Sequence, residues 1–202
     1  MDDEQYNWRD ERIRSLKESL SFFSNREKLD REKWTVRRLL RALNVEFAEE
    51  ELTGGDEPVD IYFRDARFQE KEILDENRRR TDEYKKALEV AKAAKDQSEL
   101  SELYDPIDIS FSEVVQKCFD YAKRLLSESK YGPLECKKID LLIYFNLMNH
   151  LVVPPTEIEV KELEFRSLSV VSNRYCMVLY ARKDAPKILR DNSGKAIDYF
   201  ES

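Results

Sequence analysis

The chain contains 202 residues, a length that suits one well-packed domain or one domain with sizeable additions. Hydrophobic residues make up 41% and charged residues 38%, with only 4 Gly, which favours long solvated helices over an all-β sandwich. The net charge of −7 argues against broad electrostatic affinity for nucleic acid. The acidic N-terminus is unlike a signal sequence, and no run approaches the about 18 apolar residues of a membrane span, so we expect a cytoplasmic protein.

The first half of the sequence predicts helices on either side of a group of short strands. Apolar residues recur at helical spacing in the helices, and they alternate with polar residues in the strands. The predicted elements are a helix over 4–23, a helix over 25–43, a weak strand over 45–52, a Gly-Gly turn over 53–58, strands over 59–63 and 67–74, and a helix over 76–95. Asp75 is expected to cap the last of these helices.

The second half predicts further strands around one strongly amphipathic helix. Ser110 and Glu113 have the spacing of a capping box, which marks the start of that helix. The predicted elements are a linker over 96–106, a strand over 107–110, the helix through 126, a strand over 138–147, two strands over 167–182 and a loose tail from 183. The order indicates a mixed α/β or α+β domain with antiparallel pairing at its start.

The cysteines and the single histidine limit the chemistry that the chain can perform. The sequence has 3 Cys, widely spaced, and 1 His, so it does not predict a zinc site. His150 lies among apolar residues, where a structural or surface role is favoured over catalysis. The sequence also has no Gly-rich phosphate loop, which disfavours a nucleotide-dependent enzyme. Enzymatic chemistry would therefore rest on carboxylates, lysine and metal.

Three polar residues of the predicted hairpin VDIYFRDARFQEKEI form a candidate site. Residues two apart on a strand share a face, so Gln69 and Lys71 point the same way, and Asp60 on the adjoining strand can meet them. Acids hold a hard cation through oxygen ligands, and a nearby lysine orients a water molecule or neutralises developing charge. An ordinary amphipathic hairpin with a charged outer face explains the same spacing.

The order of elements around these residues resembles the core of the PD-(D/E)xK, or restriction-endonuclease-like, superfamily. A helix is followed by a strand, an Asp-bearing strand after Pro58, a strand carrying Gln69-Glu70-Lys71, and another helix. The run FQEKEILDENRRRTDEYKKAL is also similar to a small bacterial family of uncharacterised proteins described as endonucleases. The resemblance implies a single domain over 1–202, with an N-terminal helix over 1–25, a nuclease-like core over 26–147, added strands over 148–182 and a loose tail over 183–202.

The resemblance also implies roles for individual residues. Asp60 would be the principal ligand of Mg²⁺ or Mn²⁺, and Lys71 would be the catalytic lysine. Gln69 would stand where most relatives have an acid and would hold the metal together with Asp60 through its carbonyl oxygen. The fourth strand of the core would be 107–110 or 138–147. The candidates for an extra acid are Glu32, Glu49 and Glu50. Phosphate contacts would come from Arg78, Arg79 and Arg80, which open the helix after the hairpin.

The implied activity is metal-dependent hydrolysis of phosphodiester bonds, in DNA rather than RNA, by a protein that could be a homodimer. Residues 26–41 hold seven Lys/Arg against three Asp/Glu, so Arg37 and Arg41 are candidates for nucleic-acid contacts. A solvated amphipathic helix explains the same residues. The main alternative is a binding or interaction protein that keeps the nuclease fold without cleavage, because Gln69 neutralises none of a cation's charge. An α+β domain unrelated to nucleic acid is the third interpretation.

Overall fold

A computed structural model describes residues 7–100, 106–128, 131–153 and 162–199. The chain divides into two compact units. The first consists of Met1–Arg31 and Glu76–Asp105, and the second of Glu32–Asp75 and Pro106–Ser202. The predicted hairpin lies in the second unit, whereas the arginine run that follows it lies in the first.

Two helices that pack against each other build the first unit. These are α1 (Trp8–Phe22) and α3 (Arg80–Ala93). Just beyond α1, Phe23 stacks on Tyr84 of α3 with ring centroids 5.5 Å apart. The guanidinium of Arg80 lies over the Phe23 ring at 3.5 Å from its centroid. Both helices confirm the predictions, although α3 begins four residues later than expected because Asn77 has a positive φ of 63°.

A seven-stranded mixed sheet organises the second unit. Its strands are β1 (Thr53–Gly54), β2 (Ile61–Phe63), β3 (Ala66–Leu74), β5 (Asp140–Asn146), β7 (Ser167–Ser172), β8 (Tyr175–Ala181) and β9 (Ala196–Asp198). They lie in the order β1-β2-β3-β5-β7-β8-β9, in which β3, β5 and β7 run parallel and every other neighbouring pair is antiparallel. A separate parallel pair consists of β4 (Ile107–Ser110) and β6 (His150–Val153).

Helices cover both faces of the large sheet. On one face, α2 (Lys28–Ala42) buries its stripe Val36, Leu39 and Leu40 in a core with Phe68 and Leu142. On the other face, the buried side of α4 (Phe111–Leu126) packs in a core with residues of β5, β7 and β8. Two short helices, α5 (Pro133–Cys136) and α6 (Lys187–Arg190), complete the set. The predicted mixed α+β class, with a central mixed sheet between helices, is confirmed.

The predicted hairpin is present, and the fourth strand beside it is now assigned. β2 and β3 pair antiparallel, and the chain reverses at Arg64, whose φ is 51°. The strand that joins β3 is β5, in parallel register with Phe68 opposite Asp140. The other candidate, 107–110, is a strand but belongs to the small β4–β6 sheet. The nearly continuous apolar run of β5 explains its central place, because a parallel strand is buried on both faces.

Three further expectations differ from the structure. Residues 45–52 form no strand; they contain a short 3₁₀ helix, Glu49–Glu51, in which the Glu51 carboxylate accepts from the Ala48 N–H at 2.9 Å. Asp75 does not cap α3, because its carboxylate instead accepts from the N–H of Met148 at 2.8 Å. The segment expected to be a loose tail contains α6 and β9, and it buries Leu189 in the core on the α2 side.

Candidate nuclease site at the edge of strand β3

The three side chains singled out in the hairpin meet at one edge of β3. Asp60 directly precedes β2, and its N–H donates to the Phe68 carbonyl at 2.9 Å. This pairing brings Asp60 beside Gln69, whose Nε2 donates to Asp60 Oδ2 at 2.8 Å. The Lys71 Nζ lies 3.7 Å from the same oxygen. A carboxylate, an amide and an ammonium group therefore converge as the spacing predicts, while their chemical roles stay predictions.

The unequal lengths of β2 and β3 create this arrangement. β2 has 3 residues and β3 has 9, so β2 pairs only with the first part of β3. Past Phe68, the N–H of Glu70 donates to Asp60 Oδ2 at 2.9 Å, and the carboxylate takes the place that a strand carbonyl would occupy. Asp60 is only 9% exposed, so this hydrogen bond offsets part of the cost of burying its charge.

Gln69 is held from both ends of its amide. Its Oε1 accepts a hydrogen bond of 2.5 Å from the Tyr131 hydroxyl, while its Nε2 faces Asp60. Gln69 is 3% exposed and Tyr131 is 1% exposed, so this contact lies in the core. The oxygen that would coordinate a metal ion is thus already a hydrogen-bond acceptor. No sequence pattern pointed to Tyr131, which lies 62 positions away in a segment without periodicity.

Acidic side chains also gather on the opposite face of β3. The Glu70 carboxylate lies toward α2, where Thr35 Oγ1 donates to it at 3.4 Å. Burial raises the pKa of Glu70 to about 8, and the charges of Glu72, Asp60 and Glu32 add to the rise while Lys71 opposes it. Glu72 accepts from the Asn146 amide at 2.8 Å. This face therefore carries a carboxyl group with a raised pKa next to the candidate site.

The candidates for an extra acid divide into one near the site and two elsewhere. Glu32 is buried on α2, and its charge acts on Glu70. Glu49 pairs with Arg37 instead, with its Oε2 2.8 Å from the Arg37 Nε. Glu50 is exposed on the short 3₁₀ helix. Of the three, Glu32 alone lies where it influences the carboxylates of β3.

The predicted phosphate-contacting arginines differ in what they contact. Arg78 pairs with Glu83 at 2.8 Å, and Arg80 lies over Phe23, both within the first unit. Arg79, at the N-terminal boundary of α3, is exposed. In α2, Arg37 pairs with Glu49, whereas Arg41 is exposed. Arg79 and Arg41 are therefore the exposed members of the predicted set.

The side chains of the candidate site could supply only a few of the ligands of a metal ion. Within the described residues, no three His, Cys, Asp or Glu side chains form a group that could hold a metal ion. Mg²⁺ commonly keeps several waters and binds through one or two carboxylates together with substrate phosphates. Asp60 is a carboxylate of that kind, and Lys71 beside it leaves the local charge nearly balanced. A cation bound at Asp60 would therefore need further oxygen ligands from water and from a phosphate group.

His150 has a structural environment that the sequence did not show. Its Nδ1 lies 2.8 Å from Asp75 Oδ1, just past the end of β3, and the second oxygen of Asp75 accepts from Met148 N–H. The His150 side chain is 30% exposed. The pair fastens the end of β3 to the chain between β5 and β6, which agrees with the structural role favoured for this histidine.

Comparison with known proteins identifies a family. The profile of the family described as "Putative endonuclease, protein of unknown function (DUF1780)" matches residues 3–201. The chain belongs to this family. The fold is also similar to that of a solved protein of unknown function from Pseudomonas aeruginosa strain PAO1, described as a member of the monooxygenase superfamily. That similarity has a TM-score of 0.66 at 25% identity and covers 96% of each chain.

Two further observations complete the comparison. No curated protein matches the chain significantly. None of the described helices is long and apolar enough to span a membrane.

Proposed function

We propose that the protein is a metal-dependent endonuclease that hydrolyses phosphodiester bonds in DNA, with its site at the edge of β3. The observation that carries the proposal is the convergence of Asp60, Gln69 and Lys71, with both Gln69 Nε2 and Lys71 Nζ directed at one oxygen of Asp60. The description of the family as an endonuclease family supports the same activity. A cytoplasmic location, as the sequence predicts, is compatible with DNA as substrate.

The topology around the site supports a restriction-endonuclease-like core. That resemblance implies a helix, then three strands with the acid and the lysine on the second and third. Here α2 precedes β1, β2 and β3, which form an antiparallel meander in which the two-residue β1 takes the place of the strand predicted at 45–52. After α4, strand β5 joins β3 in parallel. The similar protein described within a monooxygenase superfamily shares the fold, and function is assigned from the site and not from the fold.

The residues of the site have complementary tasks in the proposed hydrolysis. A water oxygen attacks phosphorus and releases a proton to the solvent, and the bond from phosphorus to the leaving sugar oxygen breaks as that oxygen takes a proton from a solvent water. Lys71 would orient the water or neutralise the charge that grows on the phosphate oxygens. Its Nζ donates to the Glu70 carbonyl at 2.7 Å, which fixes the ammonium group beside Asp60. Asp60 would hold Mg²⁺ or Mn²⁺, and the cation would polarise the phosphate when bound.

A cleavage assay tests the proposal directly. Supercoiled plasmid is incubated with the protein and Mg²⁺ or Mn²⁺, in parallel with Asp60→Ala and Lys71→Ala. We expect nicked or linear product from the wild type and almost none from either variant. Asp108→Asn and Lys117→Ala are matched controls, because both residues are exposed and lie outside the site, on β4 and α4. Equal product from all five proteins would indicate a contaminating nuclease and reject the proposal.

A nuclease-fold binding protein without cleavage is the second candidate function. The hydrogen bond from Tyr131 to Gln69 Oε1 favours it, because that oxygen is occupied where relatives would offer a carboxylate to the cation. This candidate predicts DNA binding with no product under either cation. Fluorescence anisotropy with a labelled duplex at several salt concentrations distinguishes the two functions, since binding to phosphates weakens steeply with salt. A protein that neither binds nor cleaves would reject both.

A further inference from the structure

A continuous line of hydrogen bonds joins the core to the candidate site. The Tyr131 hydroxyl donates to Gln69 Oε1, and Gln69 Nε2 donates to Asp60 Oδ2. Tyr131 directly precedes the α5 region, and its ring packs edge-on against Phe165 with centroids 5.9 Å apart. The hydroxyl thus approaches Gln69 from a fixed aromatic pair in the core rather than from a mobile surface loop.

The chemistry of the two neighbours determines which way the Gln69 amide points. A phenol hydroxyl can donate or accept, but an ionised carboxylate can only accept. The amide nitrogen must therefore face Asp60, and the amide oxygen then faces Tyr131, which has to donate. A phenol keeps its proton at neutral pH, because its ordinary pKa is about 10, so the Tyr131 hydroxyl is available to donate. Without this donor, the buried amide oxygen would lose its partner, and the orientation of the amide would no longer be fixed.

The burial of Tyr131 defines how it can act. Its side chain is 1% exposed, so it cannot touch a DNA substrate and can affect the site only through Gln69. The carboxylate of Asp60 also accepts from the Glu70 N–H at 2.9 Å. Two fixed N–H donors, one from the backbone and one from Gln69, therefore set where this carboxylate lies relative to Lys71.

We propose that Tyr131 is a positioning residue of the candidate nuclease site. Its hydroxyl fixes the Gln69 amide, and the amide fixes the Asp60 carboxylate for the cation and phosphate. This inference rests on the proposed function for its catalytic consequence, and on the hydrogen bonds alone for the orientation of Gln69. It also explains a neutral residue at position 69, since an amide can donate to Asp60 whereas a second carboxylate would repel it.

Tyr131→Phe is the decisive variant, because it removes the hydroxyl and keeps the ring against Phe165. Tyr180→Phe is the matched control, because Tyr180 is a partly buried phenol packed against the same core. Three quantities are measured: the single-turnover cleavage rate at saturating Mg²⁺, the affinity for duplex DNA, and the ¹H–¹⁵N signal of the Gln69 side-chain amide. A purely structural role would lower stability without changing the rate per folded molecule.

We expect Tyr131→Phe to slow cleavage by roughly tenfold to a hundredfold, as small misplacements of catalytic groups do, with DNA affinity unchanged. The Gln69 amide signal should shift and its protons should exchange faster with solvent, whereas Tyr180→Phe should match the wild type in all three measurements. If Tyr131→Phe folds poorly, Gln69→Met removes the donor to Asp60 by another route and should slow cleavage similarly.

Failure of this inference and failure of the proposed function give different results. If the wild type cleaves and Tyr131→Phe or Gln69→Met cleaves equally fast, the positioning role is overturned while the nuclease stands. If the wild type produces no cleavage in the presence of either Mg²⁺ or Mn²⁺, the proposed nuclease function is overturned. The amide spectrum then decides whether Tyr131 orients Gln69. An unchanged Gln69 signal in Tyr131→Phe would then overturn the inference, and a changed signal would support it.

Discussion

Strand β3 has a buried aspartate beside each of its two edges, Asp140 on the β5 side and Asp60 on the β2 side, and their surroundings differ. At the beginning of β3, Asp140 of β5 is 0% exposed and accepts from Arg166 Nε at 3.0 Å, Ser167 Oγ at 2.9 Å and the Arg67 N–H at 2.9 Å. On the other edge, beside Gln69 and Glu70, Asp60 accepts from an amide and a backbone N–H, with a lysine at 3.7 Å. A guanidinium in direct contact neutralises Asp140, whereas Asp60 is oriented mainly by neutral donors.

This difference separates a structural carboxylate from one suited to bind a cation. Both oxygens of Asp140 are hydrogen-bonded, with Arg166 bonded to each of them, so a metal ion would have to displace an arginine from the core. At Asp60 the competing cation is the ammonium group of Lys71, which a flexible aliphatic chain carries and whose side chain is 21% exposed. An incoming divalent ion can displace an ammonium group there at much lower cost. The comparison predicts that a change at Asp60 lowers activity and leaves stability nearly unchanged. A change that unpairs Asp140 should lower stability and leave the activity of the folded protein unchanged.

The largest expected effect is the loss of cleavage in Asp60→Asn. We expect the cleavage rate to fall by about a thousandfold, because a bound metal ion supplies several kcal/mol of transition-state charge stabilisation. The free energy of unfolding should change by less than about 1 kcal/mol, since an amide can still accept from the two N–H donors. Plasmid cleavage and urea denaturation measure the two quantities. A variant that retains its activity would remove Asp60 from the site.

The second prediction concerns Asp140, on the opposite edge of the strand. Arg166→Met should lower the free energy of unfolding by about 3–5 kcal/mol, because it leaves the carboxylate of Asp140 buried without its cation. Cleavage per folded molecule should stay at the wild-type rate at temperatures where the variant is folded. Urea denaturation gives the stability, and a matched exposed pair, tested by Arg182→Met, should cost no more than about 1 kcal/mol. Equal losses at the two positions would contradict the distinction between the aspartates.

A smaller effect is expected in the pH dependence of stability without metal. The pKa of Glu70 is about 8 in the folded protein, against an ordinary value of 4.5. The neutral carboxyl stabilises the fold fully below the unfolded pKa, and this contribution is lost as pH rises through about 8. Glu70 stays partly exposed, so we expect a loss on the order of 2 kcal/mol between pH 5 and pH 9.

Urea denaturation in EDTA at several pH values tests this expectation. Glu70→Gln should flatten the pH dependence over that range, because the amide has no proton to lose. Glu50→Gln, at an exposed glutamate, should leave the wild-type slope intact. If Glu70→Gln and the wild type lose stability equally as the pH rises, then Glu70 does not carry the shifted proton.

The smallest effect is expected on the basic face of α2. Arg37 is paired with Glu49, so Arg37→Ala should change the free energy of unfolding by less than about 1 kcal/mol. Arg41→Ala removes an exposed cation, and it should reduce the slope of log affinity for DNA against log salt by about one if Arg41 contacts phosphate. Anisotropy titrations at several salt concentrations measure the slope. Unchanged slopes for both variants would favour the interpretation of this face as a solvated surface.

Local sequence patterns predicted the parts of the structure that depend on local periodicity. The alternation in β2 and β3 placed Asp60, Gln69 and Lys71 together before any contact was known, since pairing partners in a hairpin follow from its turn. The Ser110 and Glu113 capping box marked the start of α4 correctly. The strand predicted over 45–52 was wrong. Phe47 packs on Phe63 although its backbone is not in a strand, and Glu49 and Glu51 pair with arginines.

Contacts between residues that are far apart in the sequence could not be predicted from local periodicity. Tyr131 carries no periodic signal, and its partner Gln69 is defined only once β3 and the α5 region pack together. The capping role expected of Asp75 failed for the same reason, since His150 and Met148 compete for its carboxylate from 75 and 73 residues away. A single sequence offers no measure of such competition.

The separation of Tyr131 from the hairpin also has a consequence for the order of folding. The β2–β3 turn is local, and hairpins of this kind form within about 1–10 μs. The parallel pairing of β3 with β5 joins residues such as Phe68 and Asp140, and such distant contacts close slowly. We therefore expect Asp60 and Lys71 to approach each other early, and Gln69 to be fixed only in the last, slow phase. A chain stopped before residue 131 would lack the phenol that orients the Gln69 amide.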